Sequence, residues 1–231
     1  MNRIHPTAQI IGDVHLGEDN VIGPHAVLIG PVQLGSRNWI GPGVWMGTPG
    51  EQRGGPHPAG WDPSDQPLAG VQVGDDTVIR EGVSVQVSAE SPTVIGSRCY
   101  LMTKSHVPHD AVLADDVTVA VGAVIGGHSV VLEGANIGLN AALHQFSVVG
   151  AGAMIGMGSI VTKHVPPFAM AFGVPAKVRG ANRVGLSRRG VADTTIETLE
   201  RGLVSGELAP YPESLQPHLD QYLAAVAGMG H

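Results

Sequence analysis

An aliphatic residue or methionine returns at every sixth position along most of the chain. From Ile4 the series runs through Ile10, Leu16, Ile22, Leu28, Leu34 and Ile40 to Met46. It lapses from Gly47 to Gly70, resumes at Val73, Ile79 and Val85, and lapses again from Ser88 to Pro92. It then runs unbroken from Ile95 through Leu101, Val107 and Leu113 to Ile155 and Val161. A helix turning every 3.6 residues cannot keep such positions on one face, so the pattern excludes an amphipathic helix. It predicts short strands bent at each repeat, three to a coil, with one aliphatic side chain per strand directed inward. Glycine follows many rungs (Gly17, Gly41, Gly126, Gly150), where a turn calls for a residue without Cβ.

After Pro166-Pro167 the ladder stops. Apolar residues then recur at helical spacing over Thr194 to Leu203 (Ile196, Leu199, Leu203) and Ser214 to Ala227 (Leu215, Leu219, Leu223, Val226), with Pro210 and Pro212 between them. The expected organisation is a repeat domain over residues 1–170, interrupted by an inserted loop at about 47–70. A connector and small helical segment would follow over residues 171–231. The loop contains a Pro/Gly-rich stretch with His57, Trp61 and Asp62.

Composition narrows the possibilities. With 33 glycines, 17 prolines and 4% aromatics among 231 residues, the core must be built from small and aliphatic side chains. A hydrophobic share of 43% is too high for a disordered chain. No apolar run nears the roughly 20 residues of a membrane-spanning helix. Met1 to Pro6 lacks the basic and apolar regions of a secretion signal, and the single cysteine, Cys99, permits no internal disulfide. Both features point to the reducing cytoplasm. A net charge of −7 argues against broad nucleic-acid binding.

Eleven histidines remain to be explained. With three repeats per coil, residues eighteen apart stack about one strand spacing, roughly 4.8 Å, from each other. His109, Gly127 and Gln145 form such a stack; Asp110, His128 and His144 lie beside its members, and His106 lies half a repeat before it. Three chemistries fit this corner. The histidines could be solvated turn residues, pooled imidazoles holding zinc as in the γ-class carbonic anhydrases, or a general base with helpers for acyl transfer. In the last case a bare Gly127 N–H could approach a developing oxyanion.

Several words occur in order: Ile4-His5-Pro6-Thr7-Ala8, His106-Val107-Pro108-His109-Asp110, Gly126-Gly127-His128, Leu143-His144-Gln145-Phe146, Val165-Pro166-Pro167-Phe168 and Gly185-Leu186-Ser187-Arg188-Arg189-Gly190. Together they resemble the UDP-N-acetylglucosamine O-acyltransferases, hexapeptide-repeat enzymes of lipid A synthesis. The resemblance implies an all-β, left-handed parallel β-helix with a small C-terminal α-helical segment, assembled as a homotrimer. It implies acyl transfer from an acyl-carrier-protein or acyl-CoA thioester to a nucleotide sugar, without cofactor, metal or covalent enzyme intermediate. His109 would be the general base, Asp110 would orient it, and Gly127 would supply the oxyanion N–H. His106, His128, His144 and Gln145 would line the donor and sugar sites, while Asn182, Arg188 and Arg189 would hold the nucleotide. Met157, two residues after the rung Ile155, would face outward and limit acyl length.

The same resemblance lapses elsewhere. The family's Gln-Asp-Leu-Lys word is replaced by Gly47-Thr48-Pro49-Gly50-Glu51-Gln52-Arg53-Gly54, and its Ile-His-Arg-Gly-Thr word by Val85-Gln86-Val87-Ser88-Ala89 after Ile79-Arg80-Glu81. Those words recognise the sugar, so a different nucleotide sugar or amine acceptor remains open. Gly173-Val174-Pro175-Ala176-Lys177-Val178-Arg179 is similar to the closing word of coenzyme A-dependent acetyltransferases. Arg179, Arg183, Arg188, Arg189 and Arg201 are candidates for a carrier-protein surface. Two further functions stay open, a zinc hydratase and a non-enzymatic β-helical scaffold.

Overall fold

The computed structural model describes residues 1–51, 53, 68–88, 90–207 and 211–229; His57, Trp61, Asp62 and Pro210 lie outside the described residues. The chain winds into a left-handed parallel β-helix with three faces. Strands of the first face include Val21–Ile22, Trp39–Ile40, Val78–Ile79, Tyr100–Leu101 and Met154–Ile155, and their register joins rung to rung: Ile22 to Ile40, Ile40 to Ile79, Ile79 to Leu101. The second face stacks Val27–Ile29, Trp45–Pro49, Ser84–Val87 and His106–Val107, and bridges at Val124 carry it on to Ala142–Leu143 and Ile160–Val161. The third stacks Val32–Leu34, Val71–Val73, Thr93–Ile95, Val112–Leu113, Val130–Val131 and Val148–Val149.

The six-residue rungs form the core. Those from Ile22 to Val161 are buried, while Ile4 and Ile10 of the first coil are exposed because a coil covers them on one side only. Each fully buried Ile, Leu or Val contributes roughly 1.5–3 kcal/mol relative to exposure. The glycines after the rungs serve a packing need. A Cβ on Gly150 would stand 2.3 Å from Pro167 N, and one on Gly126 would stand 2.4 Å from Gln145 N, in the coil beyond.

The three corners differ in chemistry. Between the third and first faces runs an ionic stack of Asp19, Arg37, Asp76, Arg98 and Asp116, each with positive φ. Arg37 pairs with Asp75 and Asp76, and Arg98 with Asp115 and Asp116. Between the first and second faces, Val121, Leu139 and Met157 form an exposed apolar line. The corner between the second and third faces carries both interruptions of the ladder. Residues 50–70 separate Trp45–Pro49 from Val71–Val73, and residues 88–92 separate Ser84–Val87 from Thr93–Ile95. His109 and Asp110 occupy that corner one coil later, between His106–Val107 and Val112–Leu113.

Beyond the ladder, Ala169–Gly173 continues the first face, so this strand straddles residue 170. Ala176–Ala181 pairs with it antiparallel, closing the sheet in a hairpin. Among the described residues three α-helices follow: α1 (Arg183–Arg188), α2 (Asp193–Ser205) and α3 (Gln216–Gly228), the last entered through a 3-10 turn at Glu213–Leu215. The apolar spacing foreshadows α2 and α3 to within a few residues, and Ile196, Leu199, Leu203, Leu215 and Leu219 are buried. The hairpin and short α1 carry no periodic signal and emerge only from packing on the last coil.

Candidate active site

His109 stands on a corner where its ring is confined from both sides. A Cβ on Gly50 would come within 2.7 Å of His109 Cδ2, and one on Gly127 within 2.9 Å of Cε1 and 3.1 Å of Nε2. The His109 side chain keeps 14% of its exposure, while that of Asp110 keeps 1%. His109 Nδ1 donates to Asp110 Oδ2 at 2.7 Å. With Nδ1 committed, Nε2 is the nitrogen left to exchange a proton beside Gly127.

Asp110 is held on every side. Its Oδ1 accepts from Ser88 Oγ at 2.6 Å, Ser91 N at 3.0 Å and Ser91 Oγ at 2.8 Å. Its own N–H donates to Thr93 Oγ1 at 3.1 Å. Burial works against its charge, but hydrogen bonds from Ser88, His109 and Ser91 outweigh that and hold the carboxyl below its ordinary pKa. Asp110 is therefore ionised at neutral pH.

His128 comes from the next coil. Its Nε2 lies 3.6 Å from Asp110 Oδ2, its ring meets His109 edge-on at 5.2 Å, and Phe146 from the following coil stacks on it at 4.6 Å. His106 shares a 2.7 Å hydrogen bond with Ser84 Oγ, and burial lowers its pKa, with Glu51 opposing and His109 adding to the effect. His144 and Gln145 remain exposed one coil on, where His144 Nδ1 donates to the Gln145 carbonyl at 3.0 Å.

Gly127 packs against the His109 ring, and among the described residues its backbone N–H is left without an acceptor. At the ionic corner the matching N–H groups are capped by the next coil: Ser36 N donates to Asp75 Oδ1 at 2.7 Å and Ser97 N to Asp115 Oδ1 at 2.9 Å. No such acceptor meets the Gly127 N–H among the described residues. An oxyanion could therefore be received there.

The remaining candidates lie apart. Asn182 caps α1, its Oδ1 accepting from Gly185 N at 3.0 Å and its Nδ2 donating to the Gly152 carbonyl at 2.9 Å, so its side chain already serves the fold. Arg188 is exposed at the end of α1. Arg189 lies 5.4 Å over the Phe168 ring and 4.0 Å from Glu133. Arg183 is paired with Glu200. Met157 is 76% exposed, on the corner between the first and second faces rather than on that of His109. Ile79-Arg80-Glu81 lies at the same corner as Met157: Arg80 bonds Glu81 and Tyr100, and its hydrogen bond holds Glu81 at a pKa of about 2. Cys99 is buried, and burial pushes its thiol up to about 11, which leaves it protonated and inert.

Gly50, Ser88, Ser91 and Phe146 escaped sequence reasoning. A signal for the first three existed, since both lapses in the ladder fall after a second-face rung and so open above the His109 corner.

A left-handed β-helix of hexapeptide repeats, carrying a locked His–Asp pair and an uncapped glycine N–H at one corner, defines the class: a β-helical protein equipped for proton transfer at a coil edge. Within that class the chain resembles the UDP-N-acetylglucosamine O-acyltransferases. The family described as UDP N-acetylglucosamine O-acyltransferase, domain 2, matches residues 164–203. An acyl-[acyl-carrier-protein]–UDP-N-acetylglucosamine O-acyltransferase of Thermodesulfovibrio yellowstonii is 49% identical over 135 residues, 57% of this chain and 52% of that one. The protein of the same name from Alkalilimnicola ehrlichii is 37% identical over 149 residues, 62% of this chain and 58% of its own. The matched region thus spans a little over half the length of these curated relatives. The solved structure of LpxA from Acinetobacter baumannii superposes with a TM-score of 0.74 at 26% identity, covering 96% of this chain and 95% of that one.

Proposed function

We propose that the protein transfers an acyl chain from a phosphopantetheine thioester to a hydroxyl of a UDP-N-acetylglucosamine-like nucleotide sugar. The observation that carries this reading is the 2.7 Å bond from His109 to a buried, ionised Asp110, which leaves Nε2 free on the side of the ring that packs against Gly127. His109 Nε2 takes the acceptor hydroxyl proton as the oxygen attacks the thioester carbonyl. The carbonyl oxygen gains negative charge against the Gly127 N–H, and Asp110 stabilises the imidazolium. Collapse expels the thiolate, which takes the proton from His109; ester and thiol are the products. Imidazole suits both halves because its ordinary pKa lies near neutrality.

His106, His128, His144 and Gln145 line the approach to this corner, with Phe146 holding the His128 ring. Arg188 and Arg189 take the diphosphate, where guanidinium forks match phosphate oxygens. Asn182 orients this segment through its cap on α1. The donor thioester is carried by acyl carrier protein, with coenzyme A as the alternative, and the reaction belongs in the cytoplasm; among the described residues no helix is long and apolar enough to cross a membrane. Because Met157 stands on another corner of its own chain, it can bound the acyl chain only from a neighbouring copy. A homotrimer that sets one copy's apolar corner against the next copy's histidine corner meets this need.

A metal-binding reading has one supporting observation: one ligand atom each from His109, Asp110 and His128 lies within 4.8 Å of the others. The 2.7 Å Nδ1–Oδ2 separation is a hydrogen-bond length. Ligands about 2.0–2.1 Å from a tetrahedral zinc would stand roughly 3.3 Å apart. Acylation assays crossing several nucleotide sugars with carrier-protein and coenzyme A thioesters test the proposal. Transfer that depends on His109 supports it. Metal-dependent hydration, or no transfer with any pair, overturns it.

A further inference from the structure

The break in the ladder at residues 88–92 reads in sequence as a lapse between repeats. In the fold it adds four residues to one coil, since Val85 pairs with Val107 and Ile95 with Val73 at separations of 22 rather than 18. The added residues fall on the corner directly above Asp110. Ser88, buried, and Ser91, exposed, both turn their hydroxyls onto Asp110 Oδ1 at 2.6 and 2.8 Å, and the Ser91 N–H joins them at 3.0 Å. Thr93, at the start of the next strand, accepts the Asp110 N–H and donates to the Gln86 carbonyl at 2.7 Å.

We infer that Ser88 and Ser91 are positioning residues that clamp one oxygen of Asp110 so that the other is fixed against His109. With three donors, Oδ1 has no capacity left, and the carboxylate cannot rotate without breaking all three bonds. Only Oδ2 then faces the imidazoles, 2.7 Å from His109 Nδ1 and 3.6 Å from His128 Nε2. This fixes the His109 tautomer with its proton on Nδ1. The clamp also explains how a side chain as buried as that of Asp110 keeps its charge: hydrogen bonds to an anion are roughly twice as strong as neutral ones. The ladder break is thus part of the site's machinery.

The activity readout rests on the acyl-transfer reading; the spectroscopic readout does not. Ser88→Ala, Ser91→Ala, the double variant and Ser91→Thr should be compared with the parent. Hydrogen bonds to charged groups carry enough energy for each single loss to lower kcat about tenfold and the double loss about a hundredfold, with KM within about twofold. Ser91→Thr, which keeps the hydroxyl, should keep parental kcat. In proton NMR of the parent, His109 Nδ1–H should give a downfield resonance that broadens or moves upfield in the double variant. A double variant with parental kcat and an unchanged resonance overturns the clamp. If the parent transfers no acyl group, that counts against the proposed reaction, and the resonance alone decides the clamp.

Discussion

His109 and Asp110 are consecutive in the chain, yet His109 Nδ1 and Asp110 Oδ2 lie 2.7 Å apart. Neighbours in a strand point to opposite faces, which would keep such side chains apart. Asp110 escapes the alternation because its φ is +58°, in the left-handed region that bends the corner. The bend turns its carboxylate back beneath the preceding ring, and the residues of the coil above hold it there. Replacing His109 would therefore remove the proposed base while leaving its partner in place.

His109→Ala should abolish measurable acyl transfer, a loss of about 10²–10⁴ in rate. The melting temperature should stay nearly parental, because the ring sits between two glycines, Gly50 and Gly127, outside the coil interior. Turnover close to parental would show that another group takes the proton.

Asp110 should also leave a signature in acid stability. Its pKa in the fold lies below the ordinary value of about 3.9, so it adds stability that is fully present above that value. The contribution is lost as pH falls through the folded value. In urea unfolding, the parent should exceed Asp110→Asn at pH 5, and the margin should shrink below about pH 4. A margin that stays flat down to pH 3 would mean the folded carboxylate is not specially stabilised.

Arg188 and Arg189 should separate. Arg188 is exposed, so Arg188→Ala should raise KM for the nucleotide sugar about tenfold with kcat little changed and melting unaffected. Arg189 also lies over Phe168 and near Glu133, so Arg189→Ala should lower the melting temperature as well. Steady-state kinetics and thermal unfolding of both variants check this. An effect of Arg188→Ala on the thioester KM alone would move it to donor recognition.

Met157 closes an apolar line whose other members are Leu139 and Val121, eighteen and thirty-six positions earlier. The parent should prefer short acyl chains, about ten carbons or fewer at roughly 0.8 kcal/mol per buried CH₂. Met157→Gly should shift the preference towards longer ones. Competition between short and long thioesters reads the change directly. An unchanged ratio in a variant that keeps the parental assembly and stability would count against a role for Met157 in setting acyl length.

The six-residue period by itself determined the β-helix, its three-strand coil and the inward direction of rungs such as Ile79, Leu101 and Ile137. It could do so because every coil repeats the same local event, an aliphatic side chain entering a stack of like neighbours. The eighteen-residue step likewise placed His109, Gly127 and Gln145 on one corner. The tertiary structure decided what arithmetic on positions cannot reach. The clasp of Ser88 and Ser91 on Asp110 depends on where extra residues bulge from a coil. The turn of Asp110 towards His109 depends on a single backbone angle. The engagement of Asn182 in capping α1 depends on a hairpin without periodicity. The separation of Met157 from His109 follows from the closing of three faces into a prism. A repeat fixes the average path of the chain, whereas a site is made where individual residues leave that path and are held by contacts from other coils.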